Sequence, residues 1–140
     1  MTTPSGEPAD LVRAAFALWA DGDYARLEDF FLATSTPDVE LRSRLGSFAG
    51  ESFHGHDGIR AWLAEIQESF ERFTPWHDDV RDAGPDRVVA VGGISFRSRE
   101  SGVDMDVPWG WVFEFSDGKL RQMHFYASAR DALEAVGLVG

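Results

Sequence analysis

The stretch VDMDVPWGWVFEF, Val103 to Phe115, decides the fold. Its alternation puts Val107, Trp109, Trp111, Phe113 and Phe115 on one face of a strand, and Asp104, Asp106 and Glu114 on the other. A strand with one aromatic face needs a cover for that face. Downstream, Asp117-Gly118 is a strong hairpin signal. It leads into a last strand, Lys119 to Ala127, where Met123 and Phe125 join the aromatic face and His124 and Tyr126 point away. Upstream, RVVAVGGISFRS and WHDDVRD read as two more strands, separated by the turn AGPD and followed by the turn RESG. Pro108 lacks a ladder donor, so it marks either an edge or a bulge, and a bulge would change the register of Trp109 and Trp111.

The first half is helical. Asp10 can cap a helix carrying Val12, Phe16 and Trp19, with Gly22 suited to its left-handed end. Asp23 caps a second helix bearing Leu27, Phe30 and Phe31. TSTPD reads as a turn, VELRSRL as a half-buried strand and GSFAGESFHG as a glycine-rich loop. Asp57 reads as the cap of the longest helix, with Ile59, Trp62, Leu63, Ile66, Phe70 and Phe73 on its apolar side and Pro75 at its end. A short helix from Ala129 to Val136 closes the chain. Helices first and antiparallel hairpins later indicate an α+β domain, a curved sheet closed by helices around an apolar pocket. Residues 1–9 read as a flexible tail and 10–140 as a single domain.

Composition narrows the function classes. The 140 residues carry 24 acidic and 13 basic side chains, a formal net charge of -11. Without a basic stripe, nucleic-acid and anionic-membrane binding are disfavoured. The chain has no cysteine, which removes disulfides, thiolate metal sites and cysteine nucleophiles. There is no apolar leader and no run of membrane-spanning length, so a soluble cytoplasmic protein is expected. Asparagine is absent and Lys119 is the only lysine, a bias that suggests a GC-rich bacterial genome.

The element order, with FHGHDGIRAWLAEI opening the long helix and GKLRQMHFYASARDALEAVGL at the end, resembles the SnoaL-like branch of the nuclear transport factor 2-like superfamily. The resemblance spans roughly Leu11 to Leu138. It implies a cone-shaped α+β barrel, in which a strongly bent, mostly antiparallel sheet wraps around a long helix, and it implies a homodimer through the outer sheet face. The family includes ketosteroid isomerases, polyketide cyclases, dehydratases and binding proteins without chemistry, so fold alone does not choose a function. At the positions matching the isomerase machinery this chain has Ser43 for the base, Trp111 for the oxyanion donor and Ala15 for the donor tyrosine. Ser128 stands where cyclases of this kind keep an acid.

Three readings follow. The first is binding of a small apolar or aromatic molecule by Trp109, Trp111, Phe113, Met123 and Phe125, with Ser43 as a polar contact. Against it stands a plain packed core built from the same residues. The second is a cyclase-, isomerase- or dehydratase-type enzyme with His124, then His54, as the titratable group. The third is an interaction module using Val112, His124 and Tyr126 on the outer face. No cofactor motif is present; His54, His56 and Asp57 do not read as a metal site, since His56-Asp57 reads as helix entry and His54 as a residue of the pocket mouth.

Overall fold

The computed structural model describes residues 8–43, 51–126 and 128–138, with Ser43 and Glu51 described by backbone alone. The elements run α1 (Pro8–Asp21), α2 (Tyr24–Thr34), β1 (Ser35–Ser43), β2 (Glu51–His54), α3 (Gly55–Ser69), β3 (Phe70–Asp82), β4 (Arg87–Ser98), β5 (Asp104–Ser116), β6 (Lys119–Tyr126) and α4 (Ala129–Ala135). The strands form one sheet in the order β2-β1-β6-β5-β4-β3, antiparallel except where β1 meets β6. This is the expected α+β architecture.

Local chemistry explains the helix ends. The N–H of Gly22, at φ 73°, donates to the Trp19 carbonyl at 2.9 Å and closes α1. Asp23 caps α2 by accepting from the Arg26 N–H at 3.1 Å. Ser128 caps α4 by accepting from the Asp131 N–H at 3.1 Å. In the β5–β6 turn, Asp117 at φ 53° and Gly118 at φ 80° both take positive φ, the backbone a tight hairpin demands.

Several sequence expectations change. Helix α1 starts at Pro8, ahead of Asp10. TSTPD is no free turn, because Ser35 already pairs with Leu120; β1 then runs from Ser35 to Glu40 while β6 advances only from Leu120 to Gln122. Residues Glu51–His54 of the expected glycine-rich loop form β2 against β1, and the part before them lies outside the described residues, as do Arg44, Leu45 and Ala127. Asp57 is not the cap: His54 takes the N-cap position without a side-chain cap bond, and Asp57 pairs with Arg60 at 2.9 Å in the first turn.

Helix α3 also ends at Ser69 rather than running to Phe73. A bulge in the β3–β4 ladder explains the false helical spacing. Phe70 pairs with Ser98 and Arg72 with Arg97, so one extra residue, Glu71, puts Phe70 and Phe73 on the same face. Both rings then pack with Phe96 or with each other, at 5.1–5.2 Å between centroids. A second shift between His77 and Asp79 does the same for His77 and Val80. Pro75 is tolerated because β3 is an edge strand.

The main core sits between the concave face of the sheet and α1 to α3, with Leu27, Val39, Ile59, Val88 and Ala90 fully buried. A smaller cluster lies on the convex face, where Ala132 of α4 and Val136, the residue that caps its C-terminus, cover Val89 and Val112. Gly110 permits that cover, since a Cβ there would stand 2.5 Å from the Ala132 Cβ and 2.9 Å from the Ser128 carbonyl. Pro108 pairs with Gly93 in an unbroken β4–β5 register and lies beyond the last β6 pair among the described residues, Gly110 with Tyr126. It therefore marks an unpaired edge, not a bulge.

Candidate aromatic site

The β5–β6 register sets Trp111 opposite Phe125 and Phe113 opposite Met123. With Ala90 and Val88 as their β4 partners, these residues share the concave face. Trp111, Phe113, Met123 and Phe125 are all 4% exposed or less, so the sheet brings them together in one buried apolar cluster. Trp109 stands on the same face, opposite Gly92, and is only partly buried. It forms the accessible rim of the group. Ser43 ends β1 opposite Glu51, and its side chain lies outside the described residues.

The helices complete the cluster. Trp62 of α3 meets Phe125 edge-on at 5.9 Å, and Trp109 meets the same ring at 6.2 Å. Trp111 contacts Phe125 at 6.3 Å and Phe16 of α1 at 5.0 Å. Trp19 meets Trp62 at 5.4 Å. Near-perpendicular rings at these separations suit the aromatic quadrupole.

Hydrogen bonding separates the indoles. Trp19 Nε1–H donates to the Tyr24 hydroxyl at 3.3 Å, which donates on to the Phe73 carbonyl at 3.3 Å. Burial raises the Tyr24 pKa above its ordinary value, with the Trp19 hydrogen bond opposing. By contrast, Nε1 of Trp62 and of Trp109 are buried with no hydrogen-bond partner among the described residues. A buried donor without an acceptor costs about 1–3 kcal/mol, so these two atoms mark a strained polar demand in an apolar setting.

The candidate histidines stand elsewhere. His124 pairs across from Val112 and Arg42, on the convex face. Its ring stacks on Tyr126 at 4.4 Å and 17°, with Tyr126 Oη and His124 Nδ1 3.4 Å apart. Burial raises the Tyr126 pKa, Glu114 adds to the rise and Arg42 opposes it. His54 is exposed at the entry of α3. Val112, read as a partner contact, is already buried under α4 of its own chain. Among the described residues, no group of three or more His, Asp or Glu is arranged to hold a metal ion. No helix among them is long and apolar enough to cross a membrane.

One feature escaped the sequence reading. A cavity of about 450 Å³ opens beside the cluster, between the C-terminal ends of α1 and α3 and the start of β3. The i, i+3 pair Phe70 and Phe73 signals it only when read as a bulged strand.

Comparison with known proteins places this geometry. The model of the SnoaL-like domain matches residues 12–123. An NTF2-like protein from Burkholderia thailandensis superposes with a TM-score of 0.74 at 21% identity, covering 93% of this chain and 96% of that one. TerC, co-crystallised with polyporic acid, gives 0.70 at 21% identity over 91% and 95%. RV0760c from Mycobacterium tuberculosis, in complex with estradiol-17beta-hemisuccinate, gives 0.67 at 14% identity over 83% and 89%. At such identities the likeness shows the fold alone. No curated protein matches the sequence.

Proposed function

The chain belongs to the SnoaL-like domain family, and from that premise we propose that it binds a small apolar or aromatic molecule carrying a hydrogen-bond acceptor. The observation that carries this reading is the pair of buried indole N–H groups, Trp62 and Trp109, flanking Phe125 without an acceptor among the described residues. A ligand carbonyl or ether oxygen would remove that penalty, while its ring would stack on Trp109. Trp111, Phe113, Met123 and Phe125 supply the apolar wall behind, and Ser43 is the proposed polar contact at the end of β1. Two other proteins of this fold, co-crystallised with polyporic acid and in complex with estradiol-17beta-hemisuccinate, support the class.

Two fluorescence titrations test this, with 9-fluorenone, a neutral aromatic ketone, and fluorene, its isostere without the oxygen. Fluorenone is expected to bind saturably and at least about tenfold tighter, and Trp109→Phe to erase that preference. Equal affinities, or no uptake of either, would refute the reading.

The convex-face register gives the enzymatic alternative, with His124 or His54 as base, less support than binding, because His124 lies across the sheet from the aromatic rings. The proposal includes a cytoplasmic homodimer. Its contact would narrow to the part of the convex face α4 leaves open, around Arg42, His124 and Tyr126, since Val112 is already covered.

A further inference from the structure

We propose that the 450 Å³ cavity beside Trp19 is a second ligand site, selective for a small aromatic carboxylate with Arg99 as its anion anchor. The volume falls within the range of small-molecule pockets, roughly 300–1,000 Å³. The proposal stands apart from the reading of the Trp62–Trp109 cluster.

The apolar part of the cavity is aromatic. Trp19, Phe70 and Phe73 line it together. The Trp19 N–H and the Tyr24 hydroxyl are consumed by the relay to the Phe73 carbonyl, which links α1, α2 and β3 along one wall. What that wall offers a ligand is ring surface.

The charges are uneven. Arg72 and Arg99 line the cavity against one carboxylate, Glu71. Arg72 is engaged by Asp104 at 3.1 Å, and Glu71 by Arg97 at 3.7 Å. Arg99 has no carboxylate partner among the described residues. Its Nε–H donates to the Gln67 carbonyl at 3.0 Å, which orients the guanidinium and leaves both terminal nitrogens to donate. In a chain with 24 acidic side chains, an exposed guanidinium at a cavity lip with no carboxylate partner among the described residues stands out. Its planar fork matches a carboxylate in two parallel hydrogen bonds.

Helix ends would ordinarily repel an anion here, because C-terminal carbonyls carry partial negative charge. Two of those carbonyls are already occupied. Trp19 O accepts from the Gly22 N–H and Gln67 O accepts from Arg99. Recognition of a carboxylate is therefore electrostatically feasible where a bare helix end would oppose it.

The test uses the full chain, with 2-naphthoate and its neutral analogue 2-naphthamide as probes in calorimetric titration. Naphthoate is expected to bind at least about tenfold tighter than the amide. Arg99→Gln should remove that advantage, and Arg99→Lys, keeping charge without the fork, should give an intermediate affinity. Far-ultraviolet dichroism checks that each variant folds. Trp109→Phe should leave naphthoate binding unchanged, and Arg99→Gln should leave fluorenone binding unchanged. Equal affinity for acid and amide, no naphthoate binding, or loss through Trp109→Phe but not Arg99→Gln would each overturn the proposal. None of the overturning results depends on whether fluorenone binds the aromatic cluster.

Discussion

The two faces of β5 differ more than any two distant regions of the molecule. On the concave face, Trp109, Trp111, Phe113 and Phe115 meet helices and the rings they carry. On the convex face, Asp104 and Asp106 stand in solvent, Gly110 and Val112 lie under α4, and Glu114 pairs with Arg121 at 3.0 Å. The same backbone thus serves a large apolar core on one side and a small staple plus a charged surface on the other. Alternation divides the residues between faces, but what covers each face is decided by distant segments. The concave cover tolerates unpaired donors at Trp62 and Trp109. The convex cover has no comparable orphan on β5.

The comparison predicts a steep contrast in mutational cost. Trp111→Ala empties a fully buried site and should cost about 3–5 kcal/mol in chemical denaturation. A loss below 1 kcal/mol would mean that the concave face is not a close-packed core. Gly110→Val drives two methyl groups toward Ala132 and should cost about 1–3 kcal/mol. A variant lacking α4 altogether should feel no such penalty, and if it does, α4 is not the source of the convex constraint.

Trp109→Phe should be milder, below about 1.5 kcal/mol, because it keeps an aromatic ring and removes an unpaired donor. Its effect should appear in fluorenone uptake instead. A large stability loss without a change in uptake would make Trp109 an ordinary core residue.

The smallest effect is pH dependence. Tyr24 and Tyr126 both have raised pKa values, chiefly through burial. Their neutral forms are favoured in the folded state, so their contribution is fully present below the unfolded pKa, about 10. It is lost as pH rises through the folded values. Tyr24→Phe should flatten the alkaline fall in melting temperature, and an unchanged slope would show that its burial does not control that range.

Much of the sheet was legible because alternation is local information. The β4, β5 and β6 strands, the Asp117-Gly118 hairpin and the cap at Asp23 follow from neighbouring residues. The errors occur where a ladder partner overrules local spacing. Phe70 and Phe73 keep helical spacing yet belong to a bulged strand, because Ser98 and Phe96 are there to pair with them. Ser35 looks like turn chemistry yet is fixed beside Leu120.

From the sequence alone, the α+β class, the aromatic face of β5 and the acidic balance were determined, since each rests on residue identity and short-range periodicity. Only the tertiary structure decided that α4 covers Val112, that His124 lies on the convex face and that, among the described residues, two tryptophan donors lack acceptors and Arg99 lacks a carboxylate partner beside a cavity. Those features depend on which atoms distant segments bring within hydrogen-bonding distance, and no local pattern encodes a missing partner.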